Sequence, residues 1–453
     1  MCRADACNVQ LSYALMKTLF FRQSEAHDLF LERLLAGDNT CDTSHVGTGK
    51  TVVGCHLALS LKRAGKPVAV ICPKSVIPSW TREMKEVQVD PIFIMNYEKI
   101  RTGKSAHMSK AGKKIMRWNL PEGTVVLFDE IHKAKGPYTQ NAQLLISLIQ
   151  QGFQVHGMSA TAAEDPTEMR GLGLMLGFHS LNKSTDDLPS WYSWMSRMGC
   201  HRNEWGKWEM GRKGRSYLPE IRKKMYSHNV SRLTIDDFPD SFKKNLVIVE
   251  PIAFKNATKI QAAYREAGIT PAVVQKFIED GTVEDSDHTL VNILKARMLA
   301  ESFKIPDLIE IAEDLVAEKK SVVVFVNFAD TTEALCQNLN CRRIEGGQTG
   351  QERQEAIDRF QDDKDHIIVV NIAAGGTGIS LHDVKGDRPR VSLISPSFSA
   401  KNHLQTLGRI HRNGAKSDAI QKILVASNTI EEAVMAAVNN RIKNHKILHD
   451  DKS

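Results

Sequence analysis

The chain lacks the features that mark secreted, membrane-spanning and zinc-stapled proteins. Its eight cysteines include no C-x-x-C pair, which argues against a disulfide framework and against a zinc site of the usual spacing. No apolar run approaches the roughly 20 residues of a membrane span, and Lys17 interrupts the one stretch that resembles a signal peptide. Internal repeats and low-complexity segments are also missing. We therefore expect a reduced, intracellular protein, cytoplasmic or nucleoid-associated, that is not secreted and has no membrane partner.

Length and charge indicate two domains and a nucleic-acid partner. A chain of 453 residues is too long for one ordinary core. Residues 99–117 carry seven basic and no acidic residues, and residues 197–232 carry ten basic and three acidic ones, within a net charge of +7. The rest of the chain is therefore net negative, as expected if two surfaces meet a phosphate backbone. Within these segments, the candidate contacts are Lys113, Lys114, Arg212 and Lys213.

Short apolar runs alternate with helical patterns along most of the chain. The runs lie at residues 68–72, 125–128, 322–326, 367–370, 391–394 and 423–425. Runs this short and β-branched predict buried parallel strands, and residues 51–64 predict a helix. The alternation predicts an α/β fold with parallel sheets. It pauses at about 180–245, a basic, tryptophan-rich helical insertion, so we predict domains at 1–245 and 246–453.

A phosphate-binding loop is predicted at residues 44–51, which read SHVGTGKT. Gly47 and Gly49 allow backbone N–H groups, including that of Thr48, to turn toward a phosphate at the start of a helix. Lys50 supplies a charge for the β- and γ-phosphates, and the Thr51 hydroxyl is a candidate Mg²⁺ ligand. Ser44 replaces the first glycine of the usual pattern, and residues 40–43 are more polar than a usual buried strand.

Two carboxylates follow the apolar run at 125–128. Asp129 and Glu130 are expected at the carboxyl end of a strand, where open α/β sheets place ligands. Asp129 is predicted to hold Mg²⁺, and Glu130 to orient and deprotonate the attacking water. With the upstream loop, these carboxylates predict hydrolysis of ATP.

A third group of candidate site residues lies toward the C-terminus. Arg409 and Arg412 are three apart on a predicted helix, with Gln405 on the same face, and we assign the arginines a finger role at the γ-phosphate. Gly376 and Gly378 follow the run at 367–370 and are candidates for backbone contact with phosphate. Further candidates that would couple the ATP site to nucleic acid are Ser159, Thr161 and Thr377.

These motifs, in this order, resemble those of superfamily-two helicases, and several resemble the Swi/Snf-like translocase branch. The resemblance is carried by residues 129–135 (DEIHKAK), 233–239 after Arg232, 346–353 (GGQTGQER), 374–378, 405–412 and 429–432. The branch usually has Asp-Glu where Ser44-His45 stands, and Gly-Thr where this chain has Ser-Ala-Thr. The resemblance implies two RecA-like lobes with an ATP cleft between them. It also implies that Gln23 contacts adenine and that Pro73 and Lys74 touch the DNA backbone.

The combined pattern predicts an ATP-dependent DNA translocase or helicase that binds ATP and Mg²⁺ and acts on double- or single-stranded DNA. Trp205 and Trp208 are available to stack on exposed bases, although clustered tryptophans more often belong to a core. An RNA helicase of the DEAD-box kind and an ATP-regulated nucleic-acid-binding scaffold are the alternatives. Protein partners, polarity and the biological process are not predicted by these residues.

Overall fold

The computed structural model describes residues 18–111, 115–204, 206–238, 241–280, 286–375 and 379–449. The chain divides into two compact units, the first formed by residues 1–237 and 444–453 and the second by residues 238–443. The division falls before the predicted boundary at 245/246. Residue 245 already belongs to an edge strand of the second unit, because Asn245 pairs with Ala419.

A six-stranded parallel sheet organises the first unit. Its strands are ordered β10-β1-β7-β6-β2-β3, and all five pairings are parallel. The strands are β1 (Thr40–Asp42), β2 (Val68–Cys72), β3 (Ile94–Asn96), β6 (Val125–Asp129), β7 (Gln154–Met158) and β10 (Val230–Ser231). Two hairpins lie outside this sheet, β4 (Met108–Ala111) with β5 (Ile115–Trp118) and β8 (Cys200–Arg202) with β9 (Trp208–Met210).

Helices cover this sheet and complete its core. They are α1 (Phe21–Leu35), α2 (Lys50–Arg63), α3 (Ile77–Glu86), α4 (Tyr97–Ile100), α5 (Gln140–Gln150), α6 (Arg170–Met175), α7 (Trp191–Arg197) and α8 (Leu218–Met225). Short 3₁₀ helices lie at Lys74–Val76, Ile131–Ala134, Pro166–Glu168, Arg212–Tyr217 and Ile235–Asp237. The core includes Phe128, Trp191 and Trp194.

The second unit repeats the architecture. Its parallel sheet has the order β11-β16-β15-β12-β14-β13. The strands are β11 (Asn245–Ile252), β12 (Ser321–Val326), β13 (Arg342–Ile344), β14 (Ile367–Asn371), β15 (Arg390–Ile394) and β16 (Ala419–Ala426). The helices are α9 (Ala257–Glu266), α10 (Pro271–Asp280), α11 (Ser286–Ser302), α12 (Ile305–Ala317), α13 (Ala329–Leu339), α14 (Gly350–Gln361), α15 (Ile372–Gly375), α16 (Ala400–Leu407) and α17 (Ile430–His449). The last residues of α17, from Asn444 onward, belong to the first unit.

The predicted α/β class, with two tandem parallel-sheet lobes, is confirmed by these sheets. Each apolar run singled out in the sequence is a strand. The polar segment at 40–42 is also a buried strand, because its polar groups find partners: the Thr40 hydroxyl lies 2.8 Å from Nδ1 of His156. The region 180–245 is not simply helical, since it contains the β8–β9 hairpin and contributes β10 to the main sheet. In the described part of the chain, no helix has both the length and the apolar character to cross a membrane.

Candidate nucleotide site and its surroundings

The loop at 44–51 joins β1 to α2 and has the backbone of a phosphate cradle. Gly47 and Gly49 both have a φ of +89°, a conformation that favours glycine. A Cβ at Gly49 would lie 2.6 Å from Nε2 of Gln23, so a side chain there would collide as well. Helix α2, fourteen residues long, begins at Lys50 and directs its N–H groups toward the loop.

The Lys50 ammonium is held inside the loop. Its Nζ donates to the carbonyl oxygens of Ser44 at 2.6 Å and His45 at 2.9 Å. Burial lowers the pKa of Lys50, while the charges of Asp42, Glu130 and Asp129 act in the opposite direction. The ammonium therefore lies near three carboxylates.

Gln23 packs against the same loop from α1. Its Nε2 donates to the carbonyl oxygen of Thr48 at 2.7 Å, and its Oε1 accepts from the N–H of Phe20 at 2.9 Å. The side chain is buried. Gln23 thus positions the loop in this structure, and contact with adenine stays a prediction.

Asp129 is the last residue of β6 and both of its carboxylate oxygens are oriented. Oδ1 accepts from the N–H of Glu130 at 2.9 Å, and Oδ2 accepts from Nε1 of Trp80 at 2.8 Å. Burial, and then the neighbouring Glu130 charge, raise the pKa of Asp129 to about 7. A carboxylate kept from water in this way gains from a nearby cation.

Glu130 is connected to the segment after β7. Nδ1 of His132 lies 3.0 Å from Oε2 of Glu130 and 2.9 Å from Oγ of Ser159. The N–H of Thr161 donates to the same Ser159 hydroxyl at 3.1 Å. Ser159 and Thr161 are buried. In this structure Ser159 links His132 to the segment after β7, and coupling of Ser159 and Thr161 to nucleic acid stays a prediction.

Sequence reasoning missed two aromatic residues that hold the carboxylate strand. Trp80 in α3 binds Asp129 as described, and the Tyr97 hydroxyl, from α4, donates to the carbonyl oxygen of Asp129 and lies 3.2 Å from that of Glu130. Both side chains are fully buried. The only signal in the sequence is that each follows a strand, β2 or β3, that ends at the same edge of the sheet.

The candidate nucleic-acid contacts of the first unit are dispersed. Lys74 follows β2 and is exposed, whereas Pro73 is buried. Lys213 is exposed on the 3₁₀ helix at Arg212–Tyr217. Lys113, Lys114 and the side chain of Arg212 lie outside the described residues.

The tryptophan cluster is mainly core. Trp191 and Trp194 are buried. The ring of Trp208 lies 5.8 Å from that of Tyr192, and the Arg202 guanidinium lies 5.7 Å over it. Contacts within the protein therefore already use the Trp208 ring, and Trp205 lies outside the described residues.

In the second unit, both predicted finger arginines reach one carbonyl. Nη2 of Arg412 donates to the carbonyl oxygen of Ile379 at 2.8 Å, and Nη1 of Arg409 donates to it at 3.4 Å. The predicted helix through the arginines is wrong: α16 ends at Leu407, Arg409 lies in the turn after its C-cap, Gly408, and Arg412 lies in an irregular segment after that turn. Only Gln405 is in the helix, where it is buried.

Ile379 directly follows the glycine segment singled out in the sequence. Gly376, Thr377 and Gly378 themselves lie outside the described residues. On the other side of the segment, Nη2 of Arg353 donates to the carbonyl oxygen of Ala374 at 2.8 Å. Three arginines that are distant in sequence from this segment therefore donate hydrogen bonds to the residues on either side of it.

The residues present fit a magnesium nucleotide. Lys50 and the loop amides would hold phosphate oxygens, and Thr51 and Asp129 are placed on elements that meet at the same sheet edge. In the described residues, no group of three or more His, Cys, Asp or Glu side chains forms a metal cluster. This is compatible with Mg²⁺, which is usually held by one or two carboxylates together with substrate phosphates and water.

Comparison with known proteins shows the family of this chain. The family model "Helicase conserved C-terminal domain" matches residues 304–414. The chain is 31% identical over 436 residues to "Putative ATP-dependent RNA helicase L364" of Acanthamoeba polyphaga mimivirus, covering 90% of this chain and 79% of that protein. It is 20% identical to the chromatin remodeling factor mit1 of Schizosaccharomyces pombe, covering 88% of this chain but only 30% of that protein.

Similarity to solved structures is weaker. The Sulfolobus solfataricus SWI2/SNF2 ATPase core in complex with double-stranded DNA aligns over 96% of this chain and 98% of its own, at 16% identity and a TM-score of 0.37. Saccharomyces cerevisiae Dbp5 bound to RNA and ADP BeF3 aligns over 92% of this chain and 87% of its own, at 13% identity and a TM-score of 0.49.

These relatives define the class of protein as an ATP-dependent nucleic-acid motor. The chain belongs to the ATP-dependent helicases, and it is an ATP-hydrolysing enzyme of that family.

Proposed function

We propose that this protein is a DNA translocase or helicase that uses ATP and Mg²⁺ to move along or remodel DNA. The observation that supports it most is the convergence of Lys50, Asp129 and Glu130 at one sheet edge, with Glu130 tied to Ser159. Lys50 and the loop amides hold the phosphates, Thr51 and Asp129 hold the metal ion, and Glu130 orients the attacking water. Bound Mg²⁺ supplies charge neutralisation on the phosphates.

Arg409 and Arg412 are proposed to stabilise the charge that develops on the γ-phosphate. The arrangement suits that role because a guanidinium never loses its charge and can contact two phosphate oxygens. Ser159 and Thr161 would transmit the state of Glu130 to the rest of the first unit. DNA is favoured as the track by the Swi/Snf-type relatives and by the two basic segments, whose phosphate contacts would move with each cycle.

RNA is the alternative track, because the mimivirus relative that covers most of this chain carries an RNA helicase name. The choice is tested by ATP turnover with duplex DNA, single-stranded DNA or RNA, each over a range of salt. We expect duplex DNA to stimulate most, with an affinity that falls steeply as salt rises. Preferential stimulation by RNA would replace the DNA assignment.

A variant with Glu130→Gln separates a motor from a scaffold. The amide keeps the shape of the side chain but cannot accept the proton of water, so we expect stimulated hydrolysis to be lost while nucleic-acid binding is retained. Displacement of a triplex-forming strand from duplex DNA measures translocation directly. Undiminished turnover in this variant would contradict the assigned role of Glu130.

A further inference from the structure

The phosphate loop is hydrogen-bonded to the last strand of the first unit. The N–H of Thr43 donates to the carbonyl oxygen of Ser231 at 2.9 Å, and the N–H of His45 donates to that of Leu233 at 2.8 Å. The ladder between β1 and β10 therefore continues beyond both strands and into the loop. Residues 231–233 precede the point where the chain leaves the first unit, at 237.

Ser44 lies at the centre of this connection. Its hydroxyl accepts from the N–H of Leu233 at 2.9 Å, and its own N–H donates to Oδ1 of Asp42 at 2.9 Å. Its carbonyl oxygen accepts from Nζ of Lys50 at 2.6 Å. Because Ser44 is only 1% exposed, water cannot replace a partner that is lost. One buried residue thus contacts both the phosphate-binding lysine and the backbone that leads out of the unit.

Phosphate binding can change this arrangement through the hydrogen bonds of Lys50. An ammonium group has three N–H donors, and Lys50 gives donors to two carbonyl oxygens of its own loop. A phosphate that accepts two hydrogen bonds from Lys50 must displace one of those carbonyls. Release of the Ser44 carbonyl frees its peptide to rotate, and the hydroxyl bond to Leu233 depends on that alignment.

We propose that Ser44 is a positioning residue that couples occupancy of the phosphate loop to residues 231–233, through Lys50 on one side and Leu233 on the other. The serine, which departs from the usual glycine of the loop pattern, is what provides the acceptor for Leu233. A glycine at this position would leave that buried N–H without its partner. The coupling concerns nucleotide binding to the first unit, and it rests on the proposed function only where nucleic-acid stimulation is measured.

Amide hydrogen exchange in the peptide spanning residues 229–237 measures the coupling directly. We expect a non-hydrolysable ATP analogue with Mg²⁺ to change exchange at the Leu233 amide by about tenfold in the unaltered protein, as local opening there shifts. Ser44→Ala removes the acceptor and should make this exchange fast and independent of the nucleotide. Ser44→Thr keeps a hydroxyl and should restore the nucleotide response.

Thr40→Val is the matched control. Thr40 lies in β1, the strand that leads into the loop, is fully buried, and its hydroxyl is hydrogen-bonded to His156 at 2.8 Å, outside the loop. Both substitutions remove one buried hydroxyl, so both should lower stability to a similar extent. Only Ser44→Ala should abolish the nucleotide response at Leu233. If circular dichroism shows that Ser44→Ala does not fold, Ser44→Gly, which restores the common loop residue, takes its place.

Steady-state kinetics give a second measurement. We expect Ser44→Ala to lower the nucleic-acid-stimulated kcat by about tenfold with KM for ATP changed less than about threefold, since the lost bond couples the loop but does not bind phosphate. The proposal would be overturned if Ser44→Ala and Thr40→Val had equal effects on exchange at Leu233 and on kcat. It would also be overturned if exchange at the Leu233 amide of the unaltered protein did not change when the nucleotide binds. A protein that nucleic acid does not stimulate would instead contradict the proposed function, and the exchange experiment would still decide the role of Ser44.

Discussion

The two units present charge in different ways. In the first unit, the Lys50 ammonium lies among the acidic groups Asp42, Asp129 and Glu130, and burial shifts the pKa of both Lys50 and Asp129. In the second unit, Arg409 and Arg412 both donate to the neutral carbonyl of Ile379. A guanidinium keeps its charge in either environment, whereas lysine and aspartate respond to their neighbours. The first unit is therefore suited to holding phosphate and a metal ion, and the second to delivering a constant positive charge.

The units also differ in how a buried charge is stabilised. Lys304 and Glu431 form an ion pair of 2.5 Å in the second unit, where both are almost fully buried. In the first unit, the buried Asp129 accepts hydrogen bonds from Trp80 and from the N–H of Glu130. Removing one member of the pair would strand a charge, whereas removing one donor from Asp129 would only loosen its orientation.

The largest predicted effect separates binding from chemistry. Arg412→Ala should lower stimulated turnover by about three orders of magnitude while a fluorescent ATP analogue still binds. Lys50→Ala should lose both stimulated turnover and binding of the ATP analogue, because it removes the charge that holds the phosphates. Arg412→Lys is the control, because it keeps the positive charge but loses the planar guanidinium that can contact two phosphate oxygens. A loss of only a few-fold in Arg412→Ala would place this arginine outside the ATP site.

The second prediction concerns stability of the second unit alone. Glu431→Gln leaves Lys304 buried without its counter-charge and should cost about 3–5 kcal/mol of unfolding free energy. Glu310→Gln, at an exposed pair with Lys255 of 2.6 Å, should cost less than about 1 kcal/mol.

The distribution of tryptophan makes this measurement specific. All six tryptophans lie in the first unit, at positions 80, 118, 191, 194, 205 and 208. In urea titrations, tryptophan fluorescence therefore reports the first unit, and far-ultraviolet circular dichroism reports both. Glu431→Gln should shift only the circular-dichroism transition. An equal shift by both signals would show that the two units unfold together.

A third prediction tests how the first unit orients its metal-binding carboxylate. Trp80→Phe keeps an aromatic ring, smaller than indole, but loses the donor to Asp129, so the Mg²⁺ concentration for half-maximal ATPase should rise by about tenfold. Trp118→Phe is matched, because Nε1 of Trp118 donates to Oγ of Ser147 at 2.8 Å, away from the site. Similar magnesium requirements in the two variants would argue against a positioning role for Trp80.

The last prediction concerns the response to acid. Burial lowers the pKa of His156 to about 3 from an ordinary 6.5. Between pH 6.5 and about pH 3, His156 is protonated in the unfolded chain but neutral in the folded unit. Stability contributed by this residue is therefore complete above pH 6.5 and falls by up to about 1.4 kcal/mol per pH unit below it. Urea titrations from pH 7 to pH 4, followed by tryptophan fluorescence, measure this slope, and His156→Gln should flatten it.

His382 and His403 extend the acid comparison to the second unit. Burial lowers the pKa of each to about 4, with the Arg412 charge contributing at His382. The sign is the same as for His156, so circular dichroism should show the second unit losing stability over the same range. Stability that is independent of pH in either unit would contradict burial of the histidines in neutral form.

Much of the fold could be predicted because local patterns carry it. The β-branched runs at 68–72 and 322–326 are fully buried strands, and a run apolar on both faces fits only a covered parallel sheet. The helix predicted at 51–64 is present, and its bounds differ by one residue at each end, since it runs from Lys50 to Arg63. The helix predicted through Arg409 is wrong because periodicity alone cannot show that the helix ends at Leu407, with Gly408 as its C-cap.

The sequence by itself determined the kind of chemistry, because the glycines, the lysine and the carboxylates of a nucleotide site must stand at set distances along the chain. Tertiary structure alone decided which groups support them. Trp80, Tyr97 and Leu233 reach the site from other strands and helices, and only the parallel sheet brings their ends to one edge. Hydrogen bonds between distant segments leave no periodic trace in a sequence, and for that reason the support of this site became visible only in three dimensions.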